Sequence, residues 1–204
     1  MKIHIVDYGM GNIFSVQKKL LQENISVTVS SFPNDIIDAD KVILLGVGHF
    51  KKAMDNLNKL KLIEPLNNFA LIQKKPVLGI CLGMQLMAKY SEEGNSVGLG
   101  WVDASVSKFK THDSKKFKIP HMGWNNIFCK KQSTLMLNIS EKEEFYFVHS
   151  FFLDANNSQL VLSETDYIER FCSSIEQENI FGVQFHPEKS HDAGKTLLRN
   201  FILL

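Results

Sequence analysis

The first hundred residues alternate short apolar runs with helical patterns, and that alternation leaves few architectures open. Residues 2–8 (KIHIVDY), 25–30 (ISVTVS), 41–45 (KVILL) and 76–80 (PVLGI) read as strands. After the first of them, Gly9-Met10-Gly11 forms a turn, and Asn12 stands where it can cap a helix through about residue 23. That helix carries Ile13, Val16, Leu20 and Leu21 on one face. Helical pattern also fills roughly residues 50–73 and residues 82–90. Strands separated by helices need right-handed crossovers, so a mostly parallel sheet covered on both faces is expected.

The second half changes character. Residues 101–109, 145–149, 159–163, 171–175 and 180–185 read as short strands with little helix between them, which extends the sheet with antiparallel strands. A final helix over residues 192–203 carries Leu197, Leu198, Phe201 and Ile202. The 204 residues form one domain, 1–204, of α/β class, long enough for a substantial core.

Composition excludes several functions. Lys and Arg number 23 against 22 Asp and Glu, with no basic tract, so nucleic-acid binding is not expected. No apolar run is long enough to span a bilayer, and the start, MKIHIVDYG, is a charged strand rather than a signal peptide. Cys81, Cys129 and Cys172 are odd in number, far apart and without CxxC spacing. They suit a reducing cytoplasm rather than a disulfide framework.

One cysteine stands apart. The run Gly79-Ile80-Cys81-Leu82-Gly83 has the form of a strand-to-helix nucleophile elbow. Glycines two residues either side leave space for a sharp turn that lifts the sulfur to the carboxyl end of its strand, where α/β folds place their sites. A helix N-terminus there favours the thiolate, and the Leu82 amide faces an oxyanion formed at Cys81. Taken alone, GxCxG fits equally a buried cysteine whose glycines serve packing.

A partner for the thiolate comes from FGVQFHPEKS. His186 ends an apolar strand and emerges at the same sheet edge if that strand runs parallel. Glu188, two residues on, projects to the same side of an extended segment and can orient the imidazole. Pro187 favours that extended geometry. Cys81, His186 and Glu188 therefore form a candidate nucleophile, base and acid. A zinc site from Cys81, His186 and either Glu188 or His191 lacks paired ligand spacing, so no metal is expected. DYGMGN is no dinucleotide fingerprint, since Phe14 stands where a glycine is needed.

Together GICLGMQ and His186-Pro187-Glu188 resemble the class I (triad) glutamine amidotransferases. Within them, DYGMGN (7–12), GVG (46–48), PHMGWN (120–125) and FYFVHSF (145–151) are similar to the glutaminase subunits of imidazole glycerol phosphate synthase. The similarity covers nearly the whole chain, in order. It implies a flavodoxin-like amidotransferase fold that hydrolyses L-glutamine through a γ-glutamyl thioester, without a cofactor. Ammonia would pass to a (βα)8-barrel synthase partner. It further implies Leu82 with Val47 or Gly48 as oxyanion donors. Gly46, Gln85, His149, Ser150 and Phe151 would lie at the glutamine site, and Met10, Asn12, Trp124 and Lys189 at the partner interface. From the residues alone, Asn12 serves equally as a helix cap, Trp124 as core and Gln85 as a solvated helix residue.

The chain departs from the family pattern at Leu45, where proline usually precedes GVG, at His49, and at Phe151 in place of tyrosine. GVGHF and EKSHDAG also resemble a second branch, whose glutaminase supplies ammonia for amidination of a surface or flagellar sugar. Two further readings share the elbow: a stand-alone γ-glutamyl cysteine hydrolase, and a non-catalytic interaction subunit.

Overall fold

The alternation of the first half builds one parallel sheet. In the computed structural model, which describes residues 1–204 except Asn24 and Ser114, β1 (Lys2–Val6), β2 (Ser26–Ser30), β3 (Lys41–Gly46) and β4 (Val77–Cys81) lie parallel in the order β2-β1-β3-β4. They alternate with α1 (Ile13–Leu21), α2 (Pro33–Ile37), α3 (Phe50–Lys59), α4 (Ile63–Asn67) and α5 (Leu82–Leu86). The chain continues through β5 (Tyr90–Ser91), β6 (Ser96–Val97), β7 (Ala104–Lys108), β8 (His121–Asn126), β9 (Phe128–Cys129), β10 (Glu144–His149) and β11 (Phe151–Ala155). It closes with β12 (Val161–Asp166), β13 (Arg170–Gln177), β14 (Ile180–Val183) and α6 (His191–Leu203).

β14 is the pivot. It adds to β4 in parallel, with Val183 opposite Ile80, although the two strands come from opposite halves of the chain. β13 then pairs with β14 antiparallel, and β11 and β7 continue the antiparallel side. β8 and β10 form a separate antiparallel ribbon. β1, β3 and β4 are buried on both faces, while β2, at the sheet's edge, stays partly exposed. One face packs Leu44, Val77 and Met84 with Phe50, Leu57 and Leu66. The other packs Ile43, Ile80 and Phe185 with Val16, Leu20, Leu197 and Phe201. No described helix is long and apolar enough to cross a membrane.

Several expected elements differ. Residues 50–73 are not one helix, because Lys61 is left-handed with φ of 57°. Lys61 N donates to Asn58 O and Leu62 N to Leu57 O, each at 3.0 Å, the paired bonds of a Schellman stop with buried Leu62 as its apolar contact. The apolar spacing carries on past the stop because α3 and α4 pack into the same core. The helix expected over 82–90 ends at Leu86, and Tyr90 belongs to β5. Its last carbonyls are taken by the returning chain, Leu99 N on Leu86 O and Trp101 N on Met87 O, both at 2.8 Å. Asn12 does not cap α1: its side chain makes no capping bond and its backbone, at φ −91° and ψ 69°, is turned away from the usual cap geometry. Residues 158–160 form a 3₁₀ turn, so the strand expected at 159–163 begins at Val161. The sequence pattern signals neither α2, opened by Pro33, nor β8, since five polar-mixed residues and the glycine-bearing HMGWNN have weak periodicity.

Candidate active site

β4 passes into α5 with no intervening residue, and the strain of that corner falls on Cys81. Its φ is 53° and ψ −110°, a conformation that costs a side-chain-bearing residue about 1–3 kcal/mol and persists only where packing enforces it. The enforcement is visible in the glycines. A Cβ on Gly79 would lie 2.7 Å from the Met84 backbone, and one on Gly83 would overlap the Leu44 carbonyl. α5 thus rides directly on β3. It is a single turn and a half, so the field at its N-terminus is that of a few peptide units rather than a long helix.

In the β3–β4 ladder Gly46 is the register partner of Cys81. The GVG loop therefore leaves the sheet beside the elbow. Gly48 has φ of +107°, which suits glycine alone, and Val47 is exposed. Leu45 is buried against the turn at Gly11, so the residue that replaces proline anchors the loop by packing. His49 precedes α3 without capping it. The Glu93 carboxylate does so instead, accepting from Phe50 N at 2.7 Å.

Because β14 runs parallel to β4, His186 emerges at the same sheet edge as Cys81. Glu188 Oε1 accepts from His186 Nδ1 at 2.8 Å, and both side chains are buried. The carboxylate occupies Nδ1, so the nitrogen left for the sulfur is Nε2, which is buried and makes no hydrogen bond to any described residue. Burial works against a charged ring. The charge of the neighbouring Cys81 sulfur, then the hydrogen bond and charge of Glu188, outweigh it and raise the His186 pKa to about 10.

A cleft of about 290 Å³ opens over Cys81, with His186 and Glu188 behind its lining. Its lining takes in Cys81 and Leu82, Val47 and Gly48, and Ser150 and Phe151. Gln85 also lines it, but is not the solvated residue its position allowed: it is buried, and its Nε2 donates to Phe151 O and Gln184 Oε1, both at 2.9 Å. Among the described residues, Glu93 is the one acidic side chain in the lining.

The His149 ring is committed elsewhere. Its Nδ1 donates to Phe151 O at 2.8 Å, so Nε2 accepts from His121 Nδ1 at 3.0 Å. His121 is stacked between Tyr167 and Phe147. Burial lowers the pKa of His121 to about 4 and of His149 to about 3, so both rings are neutral at pH 7. The carbonyls beside His149 are committed too, Ser150 O accepting from Phe109 N at 3.0 Å and Phe151 O from both Gln85 and His149.

Of the four residues expected at an interface, Asn12 and Lys189 are exposed, Met10 is half-buried beside Gly48, and Trp124 is 43% exposed, which excludes the core reading. The Trp124 ring lies flat on His191, 2° from parallel and 4.7 Å between centroids, with its edge to Tyr146. Lys189 Nζ lies over the same Tyr146 ring at 5.2 Å. These side chains form one aromatic and basic patch.

Sequence reasoning missed Glu93, Gln184 and His121. Gln184 carried a signal: it stands two residues before His186 in an extended segment, hence on the same side. Glu93, in a polar turn between two-residue strands, carried none.

A family model, Glutamine amidotransferase class-I, matches residues 4–204. A relative from Methanococcus maripaludis named imidazole glycerol phosphate synthase subunit HisH 2 is 45% identical over 200 residues, 98% of each chain. A Campylobacter jejuni relative named subunit HisH 1 is 44% identical, covering 99% of this chain and 100% of its own. One from Pseudomonas aeruginosa named subunit HisH 2 is 40% identical over 99% of both. Among solved structures, a glutamine amidotransferase superposes with a TM-score of 0.77 at 13% identity, over 98% of this chain and 97% of that one. A glutamine amidotransferase from Thermotoga maritima gives 0.70 at 16% identity, over 99% and 96%. At such identities these two speak for the fold.

Proposed function

The chain belongs to the class I glutamine amidotransferase family, and from that premise we propose that it is the glutaminase subunit of an imidazole glycerol phosphate synthase, with Cys81, His186 and Glu188 as its catalytic residues. The observation that carries the reading is the buried His186–Glu188 pair beside the strained Cys81, which itself lines a cleft of amino-acid size. Only nucleophilic catalysis uses all three features together.

In this mechanism His186 Nε2 takes the Cys81 proton and the sulfur attacks the side-chain carbonyl carbon of L-glutamine. The tetrahedral oxyanion is received by the Leu82 amide and by a backbone amide of Val47 or Gly48, next to Cys81 through the β3–β4 register. His186 returns its proton to the leaving nitrogen, and ammonia departs from a γ-glutamyl thioester. Neutral His186 then draws a proton from water, which attacks the thioester and releases glutamate, restoring the thiol. Glu188 holds the ring and stabilises its charged form throughout. The open Gln85 oxygen and the cleft wall at Ser150 and Phe151 hold the amino-acid end, and Glu93 receives the α-ammonium. No cofactor or metal takes part.

The ammonia acceptor site lies on a (βα)8 barrel docked on Met10, Asn12, Trp124 and Lys189, with ammonia passing directly between the active sites. A half-exposed tryptophan stacked in place is well suited to anchor such a contact. Its setting is the cytoplasm, where three free thiols persist.

The test is glutamate release by the purified chain alone, then with barrel partner and imidazole-precursor nucleotide. Weak turnover alone and a large rise in the complex are expected. Cys81→Ala abolishes turnover and leaves partner binding intact. Stimulation only by a sugar-amidinating system would reassign the acceptor, while fast unassisted cleavage of γ-glutamyl peptides would point to a stand-alone hydrolase. Glutamine turnover surviving Cys81→Ala would overturn the mechanism.

A further inference from the structure

Gln184 is a fully buried side chain that the mechanism above does not use. An amide withdrawn from water is tolerated only when its polar atoms are paired, and here the pairing determines which way it points. Gln85 Nε2 lies 2.9 Å from the Phe151 carbonyl, which can only accept, so nitrogen is the Gln85 atom on that side. The same nitrogen meets Gln184 at 2.9 Å, so the atom it meets is the Gln184 oxygen. The Gln184 nitrogen is thereby turned to Cys81, with Nε2 3.5 Å from Sγ. The Phe151 carbonyl is itself held by His149 Nδ1, and His149 by His121. A chain of fixed donors ends on the sulfur.

We propose that Gln184 is a positioning residue for the nucleophile: its side-chain N–H, locked in place by Gln85, holds the Cys81 sulfur and favours the thiolate. An N–H directed at sulfur stabilises S⁻ over S–H, and the flipped amide, presenting oxygen, does the reverse. Gln85 then has a second duty besides lining the cleft. The inference rests on the reading of Cys81 as the nucleophile. Among the described residues, the titratable groups that act on the sulfur are His186, at the end of β14, and Tyr8, beyond β1, whose hydroxyl is buried with no partner there. Glu188 acts through His186. A substitution at position 184 leaves all three in place.

The experiment is the pH dependence of iodoacetamide alkylation at Cys81, followed by mass spectrometry of its peptide in the intact chain. Gln184→Met keeps length and removes the donor. It is expected to move the half-point of alkylation up by ~1–2 pH units, the worth of one hydrogen bond to a charged group. Gln184→Glu moves it in the same direction, and so does Gln85→Glu, which removes the donor that orients Gln184. A Gln184→Met chain with the parent's thermal transition and an unchanged alkylation profile overturns the proposal. Should that variant not fold, the Gln184 side-chain amide resonance of the unmutated protein decides the matter: it shifts as the Cys81 thiol titrates, and a resonance indifferent to the thiol also overturns it. Failure of the glutaminase reading itself shows separately, as absence of glutamate release from the parent complex.

Discussion

His186 Nδ1 stands 2.8 Å from Glu188 Oε1, two residues along the chain, and each side chain is 3% exposed or less. A carboxylate so enclosed needs a cationic or strongly donating partner, and here that partner is the ring that has to carry a proton. The second carboxylate oxygen, Oε2, is buried with no partner among the described residues, so the ring is the acid's main contact. Glu188→Gln retains the shape and removes the charge. Turnover of glutamine in the complex should fall by ~10²–10⁴-fold in kcat, with a much smaller change in KM. A kcat within twofold of the parent's would remove Glu188 from the mechanism.

The elbow has no slack. Gly83→Ala places a methyl group into the Leu44 carbonyl, and relief requires α5 to lift from β3. We expect a loss of ~2–3 kcal/mol in urea denaturation, together with loss of turnover, because the corner carries Cys81. A variant as stable and as active as the parent would show that the corner can relax.

Glu93 has two contacts to offer, one to Phe50 N and one to the cleft. Glu93→Gln keeps an oxygen for the helix cap but loses the charge that faces an α-ammonium. KM for glutamine should rise by ~10–100-fold while kcat and thermal stability change little. An unchanged KM would place the ammonium elsewhere.

The buried histidine pair makes the fold sensitive to acid. His121 and His149 titrate at about 4 and about 3 when folded, both lowered first by burial, against an ordinary value of 6.5. Between pH 6.5 and about 4 the unfolded chain therefore binds more protons than the native one. Stability rises with pH across that window and is lost as pH falls, by at most ~1.4 kcal/mol per pH unit for each ring. Urea midpoints of the parent and of His121→Gln, compared from pH 7 to 4.5, should show a shallower slope in the variant. Parallel slopes would contradict the neutral pair.

Local stereochemistry was legible in the chain. The strained corner at Cys81 follows from glycines at positions 79 and 83, and the reach of Glu188 to His186 follows from an i, i+2 spacing next to a proline. The helix of residues 50–73 misled because α3 and α4 bury the same apolar rhythm against one core, which hides a left-handed stop at Lys61. Trp124 was open between core and surface until the ribbon of β8 and β10 left it stacked on His191.

By itself, then, the sequence determined the corner, the acid–imidazole pair and the alternation that builds a parallel sheet, because each depends on neighbours a few residues apart. Tertiary structure alone decided that β14 lies beside β4, which brings His186 to Cys81, and that Gln85 and Gln184 meet behind the sulfur. Those contacts join segments from opposite halves of the chain. Their register is set by which strands share a core, and no spacing along the chain encodes it.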